Sequence, residues 1–243
     1  MTEQESNGLL LDFDELYKGG SIRVGDDGPL MDVIPWQLDG PQPIVTELAD
    51  TGQITGSVLE CGCGLGDNAL FLAERGYEVT AIDASPTVIE RDQAKAKERG
   101  LAVDFRVANA TVLDGITGGF ATVLDSAMMH CLTGPQRRDY LAAAHRVTEP
   151  GARLHVLCFG EGITAGLGMP ADTDEASLRR DLSEHWQVER LEQRHYTTGL
   201  TEDRWRAMMP AAAVFPADLT SPGNVDAQGR VLLPIWQITA VRA

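Results

Sequence analysis

A run of alternating glycines and an acidic residue 23 positions after its start have types and spacing that could do chemistry. The run is Glu60-Cys61-Gly62-Cys63-Gly64-Leu65-Gly66, and the acid is Asp83. Glycines at every second position let the backbone turn sharply and approach a ligand where a Cβ would clash. A carboxylate at the end of the next strand can accept both hydroxyls of a ribose. The pair predicts a nucleoside-type cofactor site; the alternative is a tight turn beside a solvated aspartate.

The charge of the glycine run discriminates between nucleoside cofactors. The dinucleotide fingerprint has glycine or alanine where this chain has Asp67, and a carboxylate there would face the pyrophosphate. S-adenosylmethionine has no phosphate and carries a sulfonium and an ammonium cation. Glu60, Asp67 and Asp83 around one loop suit that charge, so the sequence favours S-adenosylmethionine over NAD.

The elements that must position these residues alternate between strands and helices. Short apolar runs predict strands, and glycine- or proline-bounded amphipathic stretches predict helices. The predicted strands are 57–60, 78–83, 103–107, 121–125 and 153–159, and the predicted helices are 43–50, 68–75, 86–99, 135–147 and 174–185. Strands alternating with helices imply an α/β fold with a doubly wound parallel sheet. Two late strands, 187–196 and 231–241, predict an antiparallel pair at the sheet edge, with loops at 160–170 and 210–229.

The same motifs resemble the motif series of class I S-adenosylmethionine-dependent methyltransferases over residues 43–160. The resemblance implies a Rossmann-like doubly wound sheet of seven strands, mostly parallel with an antiparallel edge strand. It also implies S-adenosylmethionine as the cofactor. The cofactor-binding residues it implies are Glu60, Gly62, Gly64 and Gly66 at the methionine portion, Asp83 with Ala84 at the ribose, Asn109 with Ala110 at the adenine, and Asp125 with Ser126 after the fourth strand. The family often has aspartate in place of Asn109, whose amide can accept from the adenine amine or donate to a ring nitrogen.

The N-terminal segment carries a second resemblance. Tyr17-Lys18-Gly19, Pro35-Trp36 and Gly40-Pro41-Gln42-Pro43 resemble the small-molecule branch that includes thiopurine and tellurite-resistance methyltransferases. Asp125-Ser126 and His130 resemble bacterial enzymes that methylate quinone-like or heterocyclic acceptors. This likeness implies a cap segment over residues 1–42 and a methyltransferase domain over residues 43–243, forming a single domain overall. It implies that the cap folds over the cofactor and helps to shape the acceptor pocket. Trp36 is a candidate cofactor contact and Tyr17 a candidate substrate contact; the alternative is that both rings only anchor the cap to the domain.

Methyl transfer is an in-line displacement, in which the enzyme mainly holds the nucleophile against the methyl carbon. A base helps only if the acceptor must lose a proton, and His130, just beyond the fourth strand, is the candidate base. His130 and Met129 are also candidate substrate contacts; the alternative is that they only pack. Other side chains assigned to either an apolar pocket or the core are Met128, Met208, Met209, Trp205 and Phe215.

The composition narrows the classes of function. The 243 residues contain 20 Lys and Arg against 36 Asp and Glu, a net charge of −16 that repels nucleic acid and anionic membranes. The four cysteines predict reduced thiols and no metal site, and the acidic start predicts a cytoplasmic protein. We therefore expect a methyltransferase for a small, aromatic or heterocyclic acceptor, neutral or cationic, methylated at O, N or S. A protein or RNA methyltransferase, a non-catalytic S-adenosylmethionine-binding module and an NAD oxidoreductase are the alternatives.

Overall fold

The computed structural model describes residues 12–23, 30–31, 33–166, 170, 172–208 and 225–242. The strands are β1 Ile22–Arg23, β2 Leu30–Met31, β3 Val58–Cys61, β4 Val79–Asp83, β5 Val103–Val107, β6 Phe120–Ser126, β7 Thr148–Phe159, β8 Trp186–Thr201 and β9 Arg230–Arg242. The helices are α1 Phe13–Tyr17, α2 Pro43–Asp50, α3 Asp67–Glu74, α4 Pro86–Arg99, α5 Gly134–Val147, α6 Glu161–Gly166, α7 Glu175–Leu182 and α8 Glu202–Met208. A 3-10 turn spans Met129–Cys131.

Seven strands form one sheet in the order β5-β4-β3-β6-β7-β9-β8. Strands β3 to β7 pair in parallel, whereas β9 is antiparallel to both β7 and β8. This confirms the expected doubly wound sheet and its late antiparallel pair. The strand order reverses at β3, which pairs with β4 on one side and with β6 on the other. Ligands of such sheets bind outside the carboxyl ends of the strands at this point.

Local signals explain the elements around the reversal point. All four residues of β3 are buried, and Glu60 is the one charged residue among them. Helix α4 begins where the Ser85 side chain accepts from the backbone N–H of Val88, with proline at the first helical position. It ends at Gly100, whose left-handed backbone closes the last turn. These boundaries set the loop after β3 and the loop after β4 side by side.

The hydrophobic core lies on both faces of the sheet. One cluster joins the buried faces of α2, α3 and α4 to the sheet, and the other joins α5 and α7 to its opposite face. Burying both faces of a parallel sheet requires near-continuous apolar strands, as β3 and β6 show. The core therefore holds the carboxyl ends of β3, β4 and β6 rigid relative to one another.

The predicted loop at 160–170 is wrong in its first part, which forms α6. The Gly160 carbonyl accepts from the N–H groups of Ile163 and Thr164, and the Ile163 side chain is buried in the core. Tertiary burial outweighs the low helix propensity of the glycines here. Among the described residues, no helix is long and apolar enough to cross a membrane.

Candidate cofactor and acceptor site

A cavity of about 620 Å³ lies at the carboxyl ends of β3, β4 and β6, beneath the segment that contains α1. Most of the predicted site residues line it: Tyr17, Trp36, Glu60, Gly62, Gly64, Asp83, Ala84, Asn109, Ala110 and Ser126. Four predicted site residues, Gly66, Asp125, Met129 and His130, are not among the lining residues. The structure thus gathers residues from five separate segments of the chain around one space.

The glycine loop has left-handed backbone at Gly62, Gly64 and Gly66. A Cβ at Gly62 would lie 2.5 Å from the side chain of Met128, and one at Gly66 would lie 2.8 Å from the Asp92 carboxyl group. Any side chain at these two positions would therefore push the loop away from its neighbours. At Gly64 the same substitution would come within 3.2 Å of the Tyr17 hydroxyl, which lines the cavity. The part of the cavity wall that this loop forms, here called the glycine floor, therefore consists of backbone at the glycine positions.

Asp83 is the last residue of β4, and its carboxylate accepts hydrogen bonds from two backbone N–H groups. Its Oδ2 accepts from the Gly64 N–H at 3.0 Å, and its Oδ1 accepts from the Ser85 N–H at 2.9 Å. Burial raises the pKa of this carboxyl group, and the backbone hydrogen bonds oppose that rise. Because each oxygen keeps a second acceptor position, the carboxylate can still accept from hydroxyls of a ligand.

Glu60 is fully buried, yet one of its oxygens has no hydrogen-bond partner among the described residues. The Asn68 side chain donates to Glu60 Oε1 at 3.0 Å, whereas Oε2 is unpartnered. Burial, together with the neighbouring carboxylates Asp92 and Asp67, raises the pKa of Glu60 to about 8. A ligand cation at this place would favour the ionised form. The orphaned oxygen and the bare glycine floor fit the ammonium-bearing end of S-adenosylmethionine.

Asn109 and Ala110 line the cavity after β5. The side-chain oxygen of Asn109 already accepts from the N–H and the hydroxyl of Thr111, both at 2.9 Å. Its amide nitrogen is therefore the group that Asn109 can offer to a ligand such as an adenine ring nitrogen.

The segment around α1 closes the cavity with aromatic rings. The Trp36 indole donates to the Tyr17 hydroxyl at 3.2 Å, and Phe13 meets Trp36 edge to face. The Asp14 carboxylate accepts from the Ser85 hydroxyl and from the Thr87 N–H, which ties α1 to the beginning of α4. Burial opposes ionisation of Asp14, but its hydrogen bond with Lys18 and those from Ser85 and Thr87 together lower the pKa of Asp14.

His130 lies within the protein rather than in the cavity wall. Its ring packs edge to face on Phe159 with centroids 4.8 Å apart, and its Nδ1 is unpartnered among the described residues. Desolvation lowers the pKa of His130 to about 3, so the ring is neutral at physiological pH. Its predicted role as a base stays a prediction.

The apolar candidate residues also differ in whether they line the cavity or are buried in the core. Met128 lines the cavity, and Trp205 is buried in the core. The side chain of Met208 and the whole of Met209 and Phe215 lie outside the described residues.

Gln42, Asn68 and Tyr196 are among the polar residues of the cavity wall that sequence reasoning missed. Gln42 precedes α2, where its side chain donates to the Thr197 carbonyl at 2.9 Å. Tyr196 lies on β8, and its hydroxyl faces the side chains of Gln42 and Ser126. The proline after Gln42 signalled a helix start, but no local pattern announced the contact with β8.

A doubly wound sheet with a bare glycine floor and acidic groups at its reversal point defines a protein that binds a nucleoside-type cation. Among the described residues, no group of histidine, cysteine, aspartate and glutamate side chains is arranged to hold a metal ion. The groups present can bind and orient a cofactor and a small acceptor, and the aromatic segment can exclude water from both.

Comparisons with known proteins identify the family. The family model described as a methyltransferase domain matches residues 58–151. The 2-heptyl-1-hydroxyquinolin-4(1H)-one methyltransferase of Mycobacteroides abscessus is 36% identical over 157 residues, which span 64% of this chain and 69% of that relative. This chain belongs to the methyltransferase family, and it is a class I enzyme that uses S-adenosylmethionine.

Solved structures agree with this assignment. One, from work on the conversion of a disulfide bond into a thioacetal group during echinomycin biosynthesis, is 30% identical with a TM-score of 0.72, covering 95% of this chain and 91% of that one. Magnesium protoporphyrin IX methyltransferase from Synechocystis PCC 6803, solved with bound S-adenosylhomocysteine, shares the fold at 16% identity and a TM-score of 0.56, covering 82% of this chain and 80% of that one.

Proposed function

We propose that this enzyme transfers the methyl group to a small, flat, heteroaromatic acceptor that is neutral or cationic. The observation that carries the proposal is the composition of the cavity. Its volume of about 620 Å³ is that of a small-molecule site, and five acidic side chains line it against a single lysine. That lysine, Lys18, is already paired with Asp14 at 2.6 Å. An acceptor carrying a carboxylate or phosphate would meet a wall with more acidic than basic side chains.

The aromatic rings of the cap support a flat acceptor. Tyr17 and Trp36 line the cavity, and their mutual hydrogen bond fixes both rings before a ligand arrives. Rings held in this way stack on planar molecules with little loss of side-chain entropy. The Mycobacteroides abscessus relative is named for a hydroxyquinolone, which is such a molecule.

Different residues of the chain hold the cofactor, bind the acceptor and accept a proton. When bound, the cofactor supplies a methyl group activated by a sulfonium sulfur. The glycine floor and Asp83 hold the cofactor, and the unpartnered oxygen of Glu60 accepts from its ammonium group. Gln42, Ser126 and Tyr196 offer hydrogen bonds to the polar atom of the acceptor. We retain His130 as the proposed base for acceptors that carry a hydroxyl group.

The remaining parts of the proposal concern the whole chain. The four free cysteines are all buried as thiols, which supports a cytoplasmic location. We assign residues 1–42 to the cap and residues 43–243 to the methyltransferase domain. The acidic cavity and the net charge of −16 support small acceptors over nucleic acid.

The test compares two acceptors that differ in one charge. Purified enzyme is incubated with S-adenosylmethionine and 2-heptyl-1-hydroxyquinolin-4(1H)-one, or with the analogue whose alkyl chain ends in a carboxylate. S-adenosylhomocysteine and methylated product are quantified by mass spectrometry. Two like charges 8 Å apart repel by about 2 kcal/mol at an effective dielectric constant of 20, so we expect kcat/KM to be about 30-fold lower for the carboxylate.

Equal or preferred use of the carboxylate analogue would contradict the proposed acceptor class. S-adenosylhomocysteine binding in calorimetry without turnover of any flat neutral acceptor in a panel would favour a non-catalytic binding module instead.

A further inference from the structure

The carboxylate of Asp125 is buried in the protein and is not among the groups that line the cavity. Asp125 pairs with Cys61 of β3 and with Val156 of β7, and its side chain is fully buried. Its Oδ1 accepts from two consecutive backbone N–H groups, those of Met128 at 2.8 Å and Met129 at 3.2 Å. The carboxylate therefore binds the loop that follows its own strand.

That loop contains a residue in an unfavourable conformation. Ala127 has φ of +76°, in the left-handed region where a Cβ crowds the backbone. Its N–H donates to the Leu157 carbonyl at 3.0 Å. Such a conformation persists only where the surroundings fix it on both sides. Leu157 fixes the N–H of Ala127, and the two hydrogen bonds to Asp125 fix the residues after it.

The fixed loop forms part of the cavity wall. Ser126, Ala127 and Met128 all line the cavity. The Met128 side chain occupies the space over Gly62, where a Cβ would lie only 2.5 Å from it. The loop after β6 therefore interlocks with the glycine loop after β3, and a displaced Met128 would disturb both walls together.

We propose that Asp125 is a positioning residue: through the N–H groups of Met128 and Met129 it holds Ser126, Ala127 and Met128 in place, without itself touching cofactor or acceptor. The resemblance to methyltransferases implied a direct cofactor contact for Asp125, and the two roles make different predictions. A direct contact depends on the negative charge. A positioning role depends on one accepting oxygen at Oδ1.

The experiment observes the two N–H groups directly. The full-length enzyme contains seven methionines, so selective ¹⁵N-methionine labelling gives a small set of amide signals that includes Met128 and Met129. Their hydrogen-exchange rates are measured by NMR in the wild type, in Asp125→Asn and in Asp125→Ala. Asparagine keeps an oxygen that can accept from both N–H groups but carries no charge. Affinity for S-adenosylhomocysteine is measured by calorimetry on the same samples.

We expect slow exchange at Met128 and Met129 in the wild type. In Asp125→Ala both amides should exchange about 10- to 100-fold faster, the loss expected for hydrogen bonds to a charged group. S-adenosylhomocysteine affinity should fall at least tenfold, since the loop forms part of the wall. Asp125→Asn should restore exchange and affinity to within about threefold of the wild type.

A matched control tests the other side of the carboxylate. The Tyr140 hydroxyl of α5 approaches the carboxyl group, and Asp125 Oδ2 has no hydrogen-bond partner among the described residues. Tyr140→Phe removes that hydroxyl and leaves both N–H contacts intact, so exchange at Met128 and Met129 should stay as in the wild type.

Three outcomes would overturn the proposal. Fast exchange at Met128 and Met129 in the wild type would show that Asp125 does not hold them, whether or not the alanine variant folds. Equal loss of affinity in Asp125→Asn and Asp125→Ala would assign a direct electrostatic contact instead. Faster exchange with unchanged affinity would leave Asp125 a stabilising role alone.

Discussion

Replacing Glu60 by Gln should make the stability of the cofactor-free enzyme less dependent on pH. Burial raises the pKa of Glu60 to about 8 from an ordinary value of 4.5. The folded state therefore binds more protons than the unfolded state between these two values, and the free energy of unfolding falls as the pH rises through this window. Glutamine keeps the hydrogen bond from Asn68 but has no proton to lose.

The magnitude follows from the two pKa values. Each pH unit between 4.5 and 8 lowers the free energy of unfolding by about 1.4 kcal/mol, because the unfolded state ionises Glu60 while the folded state keeps it protonated. Between pH 4.5 and pH 7 the loss is about 3 kcal/mol, which is a large part of the stability of a typical domain. Asp92 and Asp125 have pKa values raised to about 7 and act with the same sign in both proteins, so the difference between wild type and variant reports Glu60 together with its coupling to these two carboxyl groups.

The assay is urea denaturation of the wild type and Glu60→Gln at pH 5, 6, 7 and 8 without cofactor. Glu98→Gln, at an exposed glutamate of α4, is the control for loss of one charge. We expect Glu60→Gln to be the more stable protein at pH 8 and the difference to shrink towards pH 5. Parallel pH profiles for the wild type and Glu60→Gln would refute the argument.

Binding of the cofactor should reverse the loss of stability that the buried Glu60 causes. A ligand cation that pairs with Glu60 selects its ionised form, so binding of S-adenosylhomocysteine below pH 8 should release a proton. The affinity should then rise with pH by up to about tenfold per unit as far as pH 8, and Glu60→Gln should flatten this dependence. Calorimetry in buffers of different ionisation enthalpy measures the proton release directly. An absence of proton release would show that Glu60 stays protonated in the complex.

Three further variants test the remaining assignments. Asp83→Ala should weaken S-adenosylhomocysteine by about 1.5–3 kcal/mol in calorimetry, the scale of hydrogen bonds to a charged group, and unchanged affinity would remove Asp83 from the ribose site. Asp14→Ala should loosen the cap from Ser85 and speed S-adenosylhomocysteine release several-fold, followed by tryptophan fluorescence in stopped flow; an unchanged rate would show that the contact between Asp14 and Ser85 does not hold the cap closed. His130→Ala should slow transfer to a hydroxyl acceptor about 100-fold, the low end for a general base, because burial depresses its pKa to about 3; an unchanged rate across the pH range would remove it as the base.

The sheet and the cofactor floor were predictable because their signals are local. The buried run of β3, the glycines after it and the Ser85-Pro86 start of α4 all act within a few residues. Such signals fix the positions of β3 and β4, and the parallel order then brings their carboxyl ends together. Helix α6 was missed because the burial of Ile163 and Thr164 depends on the core rather than on neighbouring residues.

The acceptor side of the cavity depends on contacts that no local pattern records. Gln42 reaches the carbonyl of Thr197 across 155 positions of sequence, and Tyr196 faces Ser126 from another strand. The directions of the side chains around β6 also could not be predicted from a local pattern. Successive side chains of a strand point to opposite faces, so Asp125 and Ser126 cannot both face the same space. Ser126 lines the cavity, whereas Asp125 turns back to bind its own loop.

Three buried acidic residues lower the stability of the cofactor-free protein, and a bound ligand can offset this loss. Glu60, Asp92 and Asp125 are buried around the loops after β3 and β6, and burial raises the pKa of all three. Each of these carboxyl groups lowers the free energy of unfolding of the cofactor-free protein as the pH rises from its ordinary pKa to its pKa in the folded state. A cationic ligand that binds only the folded state restores stability by mass action, whereas an anion adds to the repulsion. The burial of these carboxyl groups thus couples the stability of the enzyme to the binding of its cofactor.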